Sequence, residues 1–186
     1  MSQTQSNMLA LGTIAPEFYL KDTNSAETYF TFDDIKGEKG TLIMFICNRC
    51  PFVHHVIREV VLIANDYRVQ GIGVAAISSN DVLNFPQDAP DLMTEFAFEN
   101  NFEFPYLYDE TQDVAKAYDA TCTPDFLLFD NQNKLVYHGK LDDSRPGNGI
   151  PLSGSDLRSA IDGVLYNRII NPNQKPSMGC SIKWKK

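Results

Sequence analysis

The sequence predicts one α/β domain, a central mixed β-sheet with helices on both faces. Three observations carry this expectation. The apolar run Thr41-Leu42-Ile43-Met44-Phe45-Ile46, a helical pattern after Pro51, and a second apolar run Ile72-Gly73-Val74-Ala75-Ala76-Ile77 form strand, helix, strand. That order at this spacing is a parallel βαβ unit with a right-handed crossover. Further on, Phe126-Leu127-Leu128-Phe129 and Lys134-Leu135-Val136-Tyr137 flank the turn-forming Asp130-Asn131-Gln132-Asn133, an antiparallel hairpin. A helix at about 155–167 completes a ββα second half.

In chain order, residues 1–11 read as a flexible polar tail and residues 12–186 as the single domain. Alternating runs between 16 and 34 (Phe18-Tyr19-Leu20, then Tyr29-Phe30-Thr31-Phe32) predict a small amino-terminal hairpin. Gly37 and Gly40 mark the turn before the first buried strand. In the helix that follows, Val53, Val56, Ile57, Val60, Ile63 and Ala64 form one apolar face, and Gly71 ends it. A proline-bearing polar stretch, 79–91, leads to a helix at about 90–100, a short strand at Pro105-Tyr106-Leu107-Tyr108 and a short helix at 111–118. Residues 144–154 form a loop rich in glycine and proline, and the chain from 171 onward reads as irregular.

Bulk properties narrow the function. A net charge of −8 argues against nucleic acid or an anionic membrane as the main partner. The start of the chain shows no basic and apolar leader, and no apolar run approaches the roughly 20 residues that span a bilayer. A cytoplasmic location is the resulting expectation. Four cysteines in 186 residues are too few for a disulfide scaffold, so a close pair points to redox chemistry or metal binding.

That pair is Cys47-Asn48-Arg49-Cys50-Pro51, placed between the first buried strand and its helix. Helix-opening amides and the helix dipole stabilise a thiolate at such a place, and Arg49 adds a positive charge. On a first helical turn the leading sulfur is the more exposed, which favours Cys47 as the attacker and Cys50 as its partner; the reverse assignment stays open. Thr123-Pro124 stands just before the strand 126–129, where a cis bond would turn a backbone edge toward the sulfurs. Cys122 reads as packing or as a third redox sulfur, and Cys180 would reach the site only if the tail folds back. Cys47, Cys50 and His54 suggest a zinc or copper set, with His138 as a distant fourth ligand; a solvated helix face is the commoner role for His54 and His55. Arg145, within Asp142-Asp143-Ser144-Arg145-Pro146-Gly147, reads as a substrate anchor or as a loop residue held by its aspartates.

Strand, Cys-x-x-Cys, helix, strand, Thr-Pro, hairpin and helix in this order resemble the thioredoxin fold. Gly12-Thr13-Ile14-Ala15-Pro16-Glu17-Phe18-Tyr19-Leu20 is similar to the opening of redoxin and peroxiredoxin domains. Phe104-Pro105-Tyr106-Leu107-Tyr108-Asp109-Glu110-Thr111, Cys122-Thr123-Pro124-Asp125-Phe126 and Met178-Gly179-Cys180-Ser181-Ile182-Lys183-Trp184 extend the resemblance to the peroxiredoxin-like family of the AhpC/TSA redoxin type. The resemblance implies a thioredoxin fold with an amino-terminal hairpin extension and a peroxiredoxin-like insertion. It implies thiol–disulfide oxidoreduction through Cys47 and Cys50, with Thr123, Pro124 and Arg49 as substrate-binding residues. No metal or organic cofactor is required; the partners are a protein or small-molecule disulfide or peroxide and a cellular thiol reductant. Two departures stand out. Ile46 and Asn48-Arg49 replace the Trp and Gly-Pro typical of thioredoxins. Aligned on Cys50-Pro51, Ile43 and Cys47 replace the proline and threonine typical of peroxiredoxins, so the peroxide-orienting hydroxyl is absent there. The alternatives are a thiol peroxidase acting through Cys50 and a copper- or zinc-binding chaperone.

Overall fold

Every residue of the strand Gly40–Phe45 is buried, because both faces of the sheet at its centre are covered. The structure is a computed structural model that describes residues 3–25 and 27–186. In chain order the elements are β1 (Gln3–Gln5), β2 (Tyr19–Asp22), β3 (Tyr29–Thr31), α1 (Phe32–Ile35), β4 (Gly40–Phe45), α2 (Pro51–Arg68), β5 (Ile72–Ser78), α3 (Pro90–Glu99), β6 (Tyr106–Tyr108), α4 (Asp113–Ala117), β7 (Cys122–Thr123), β8 (Asp125–Asp130), β9 (Leu135–Gly139), α5 (Ser155–Leu165) and β10 (Met178–Ser181). A 3₁₀ turn, Pro86–Asp88, precedes α3.

The main sheet has seven strands in the order β3-β2-β6-β5-β4-β8-β9. The pairs β4–β5 and β5–β6 are parallel and the other four are antiparallel, so the expected βαβ unit and the β8–β9 hairpin are both present. Alternation along β4 divides the core. Leu42 and Met44 pack with Val53, Val60 and Leu157 under α2 and α5. Ile43 and Phe45 pack with Phe32, Tyr118 and Phe129 on the opposite face. Each such side chain contributes roughly 1.5–3 kcal/mol of burial. The α2 face buries all six residues predicted for it, and the chain reverses after α2 through Gly71 at φ +99°. Among the described residues no helix is long and apolar enough to cross a membrane.

The chain ends depart from expectation. Residues 1–11 were expected to be a flexible tail, yet Gln3–Gln5 form β1 and Leu9 donates its amide to His138 Nδ1 at 3.0 Å. The stretch from 171, expected to be irregular, contains β10. These short strands exist because each completes another's backbone hydrogen bonds: β1, β10 and β7 form a second, three-stranded antiparallel sheet. Such pairing leaves no hydropathic alternation in a sequence. Near the start, Thr31 and Asp34 form a reciprocal capping box, so Phe32 opens α1 instead of extending the hairpin.

Close approach of β10 to β7 depends on Gly179. A Cβ there would lie 1.9 Å from the Thr123 carbonyl oxygen, backbone against backbone. Gly179→Ala is expected to lower stability by about 1–3 kcal/mol, as steric overfilling of a packed interface does. Urea unfolding measures it, and an unchanged midpoint would show that β10 is not pressed against Thr123.

Candidate active site

The register of β4 against β8 pairs Phe45 with Asp125. The chain leaving β4 therefore runs beside the Thr123-Pro124 bond, which is cis. Cys47, two residues beyond β4, lies with its Sγ 3.3 Å from the Thr123 hydroxyl. Cys50 is the N-cap of α2 and Pro51 its first helical residue. The two sulfurs thus do not share a first helical turn as the spacing suggested. Cys47 belongs to the turn before the helix, and the helix start belongs to Cys50.

A third sulfur completes the group. Cys180 Sγ is 2.8 Å from Cys50 Sγ, because β10 lies along β7 with Cys180 opposite Thr123. The tail does fold back. The same pairing occupies the Thr123 backbone edge, which the resemblance assigned to a substrate. All three sulfurs are buried, with 2%, 1% and 5% exposure at Cys47, Cys50 and Cys180. The expectation that Cys47 is the exposed member of the pair is not met.

Their environments push the thiols apart. A hydrogen bond from Cys47 is the largest influence on Cys50 and lowers its pKa. Burial opposes this, but the Cys180 thiol and the backbone amides of Val53 and Cys180 lower it further, to about 5. The Thr123 carbonyl, 3.2 Å from Cys50 Sγ, accepts from the protonated thiol and disfavours the thiolate, so the other donors outweigh it. Cys47 is driven the other way, first by its bond to Cys50, then by burial and the Asp88 carboxylate. Burial and then Cys50 push Cys180 up to about 12. Burial, followed by Asp125, also raises Cys122, which sits on β7 as a packed core residue.

Asp88, fully buried, shapes the Cys-x-x-Cys turn. Its Oδ1 accepts the amides of Asn48 at 2.8 Å and Arg49 at 3.3 Å, while Oδ2 accepts from Asn80 at 2.8 Å. Tyr106 fixes Asn48 from the other side by donating its hydroxyl to Oδ1 at 3.0 Å. The sequence pattern missed this carboxylate. It lies in a polar stretch between Pro86 and Pro90, and no local spacing ties it to residues about 40 positions earlier.

The remaining candidates are arranged as follows. Arg49 lies over the Phe85 ring, 5.3 Å from its centroid, so hydrogen bonds rather than its charge dominate at Cys50. Arg145 donates to the carbonyls of Asp142 at 2.8 Å and Ser144 at 2.7 Å, a loop role, and helps line a narrow cavity bordered by Pro124, Phe52 and His55. His54 meets Phe96 edge-on and His55 Nε2 is 2.7 Å from Ser144 Oγ. His138, fully buried, bonds Asp125 at 2.9 Å. The Cys47, Cys50 and His54 metal set is therefore not assembled, and among the described residues no three His, Cys, Asp or Glu side chains are placed to hold a metal ion.

The model of the AhpC/TSA family matches residues 11–138. An uncharacterized conserved protein from Geobacillus kaustophilus is 52% identical, with a TM-score of 0.97 over 100% of this chain and 97% of that one. A hypothetical protein from Sinorhizobium meliloti is 46% identical, with a TM-score of 0.94 over 98% of each chain. A putative thiol:disulfide interchange protein DsbE from Chlorobium tepidum is 18% identical, with a TM-score of 0.65 over 85% of this chain and 99% of that one. This last likeness shows the thioredoxin-like fold. No curated protein matches the sequence.

The Cys50 environment has a consequence for stability. A thiol whose pKa is lower in the folded chain contributes stability that is complete above its unfolded value, near 9, and is lost as pH falls toward about 5. Reduced protein is expected to lose stability across that window relative to Cys50→Ser, whose hydroxyl does not ionise. Urea unfolding of both proteins at pH values from about 9 to about 5 reads the difference. Parallel curves would place the thiolate elsewhere.

Proposed function

The chain belongs to the AhpC/TSA family, and from that premise we propose that this redoxin domain is a thiol–disulfide oxidoreductase whose nucleophile is Cys50. The observation that carries the reading is a thiol at the start of α2 with a second sulfur 2.8 Å away, surroundings that lower the Cys50 pKa. The Cys50 thiolate attacks one sulfur of a disulfide, and the other sulfur leaves as a thiolate. Loss of the charge on Cys50 removes the largest influence that keeps Cys47 protonated. A second thiol of the site then closes an internal disulfide with Cys50, the second substrate thiol departs with that thiol's proton, the oxidised site rests as Cys47–Cys50, and an external thiol reductant returns the pair to its reduced form.

Burial of the sulfurs to 1–5% exposure favours small substrates over protein disulfides. The same observation favours a second reading, a thiol peroxidase. There the Cys50 thiolate takes the terminal oxygen of a hydroperoxide, an alcohol or water leaves, and condensation of the sulfenic acid with Cys47 releases water.

Turnover of hydroxyethyl disulfide and of cumene hydroperoxide, each with dithiothreitol as reductant, separates the two readings. Cys50→Ser is expected to abolish whichever activity is present. Cys47→Ser is expected to retain the first substrate attack and to slow recycling. Full activity in Cys50→Ser with none in Cys47→Ser would reverse the assignment.

A further inference from the structure

Cys180 stands 130 residues from Cys50 in sequence and 2.8 Å from it in space. Several independent features secure that meeting. β10 is paired on both sides, with Cys180 opposite Gln3 of β1 and Thr123 of β7. Gly179 lets the strand press against the Thr123 carbonyl, which no side chain there would allow. The start of α2 serves both sulfurs, the Val53 amide bonding Cys50 and the Phe52 amide bonding Cys180. Lys183 adds positive charge near Cys180, whereas Cys47 faces the carboxylate of Asp88. A cysteine present only to fill the core, as Cys122 does, needs neither a helix amide nor a cation beside its sulfur.

We propose that Cys180 is the first resolving thiol of this site. After Cys50 has attacked the substrate, Cys180 closes a Cys50–Cys180 disulfide, which Cys47 then takes over as Cys47–Cys50. The proposal rests on the reading of Cys50 as nucleophile.

The chemistry balances at each step. With a disulfide RSSR, the Cys50 thiolate bonds to one sulfur, the substrate S–S bond breaks and RS⁻ leaves. The Cys180 sulfur then bonds to that of Cys50, the Cys50–SR bond breaks, and RSH leaves with the Cys180 proton. The substrate has gained two electrons and the two cysteines have lost them. In the exchange that follows, the Cys47 sulfur bonds to Cys50 and Cys180 departs with the proton that Cys47 gives up, with no net oxidation.

Charge favours this order. Once Cys50 carries the substrate group, its negative charge no longer opposes ionisation of either neighbour. What remains at Cys180 is burial, offset by the Phe52 amide and Lys183. What remains at Cys47 is burial reinforced by Asp88 and opposed by Thr123.

The test mixes reduced wild-type, Cys47→Ser and Cys180→Ser proteins with hydroxyethyl disulfide, quenches with acid, alkylates and maps disulfides by mass spectrometry. The expected result is a Cys50–Cys180 link early in the wild type that accumulates in Cys47→Ser. In Cys180→Ser this link is lost and the Cys50 adduct persists longer. The wild-type time course stands without either variant. The proposal is overturned if Cys47–Cys50 is the only internal link at every time and Cys47→Ser holds an unresolved Cys50 adduct. That outcome would leave Cys50 as nucleophile intact. Absence of any adduct or link at Cys50 would instead refute the nucleophile assignment, and the Cys180 role with it.

Discussion

The Cys50 sulfur has 1% exposure, so the donors that stabilise negative charge on it have to come from the protein and not from water. The donors at Cys50 come from three elements: the Cys47 thiol from the turn after β4, the Val53 amide from α2, and the thiol and amide of Cys180 from β10. Satisfying one thiolate therefore fixes three structural relations at once. The helix has to begin at Pro51, the turn has to bring Cys47 within hydrogen-bond reach, and the carboxyl-terminal strand has to lie against β7. The tightness at Gly179 follows from the same demand, since any side chain there would hold β10 away from the sulfurs.

Asp88 turns a shared geometry into a difference between two neighbouring thiols. By accepting the Asn48 and Arg49 amides, its carboxylate holds the Cys-x-x-Cys turn in shape. Its negative charge also acts on Cys47, whose proton it helps to retain. Cys50, at the helix start, receives donors instead. Two cysteines three residues apart thereby acquire opposite protonation tendencies, the arrangement a nucleophile and its partner require.

The parts of this arrangement set by local pattern were legible in the sequence. The apolar run of β4, the six-residue face of α2, the β8–β9 turn residues and the placement of Thr123-Pro124 before a strand all carry their own signal. What escaped was set by contacts between distant segments. β10 is a four-residue Met-Gly-Cys-Ser segment with no alternation, a strand only because β1 and β7 flank it. Asp88 looks like any acid in a polar loop until the fold sets it under Asn48. The placement of the two sulfurs relative to the helix start differs from the sequence reading for a narrower reason. The position of a helix start within a few residues decides which cysteine meets the helix amides, and element boundaries are the least secure part of any sequence reading.

The tail also decides what can approach the site. Beyond β10, Lys183 donates its amide to Asn80 at 2.8 Å, and its carbonyl accepts the Gln112 side chain at 2.8 Å. Gln112 in turn accepts the Lys185 amide at 2.8 Å. On the other side, β1 and the Ser6–Ser177 backbone bond hold the approach to β10. Exposing the Thr123 edge to an extended polypeptide would require these bonds and the β7–β10 ladder to be lost together. A small disulfide or hydroperoxide makes no such demand on backbone pairing. Under the proposed function, selection by size thus belongs to the anchored tail and the chemistry to the Cys-x-x-Cys turn, and the two are joined at the contact between Cys50 and Cys180.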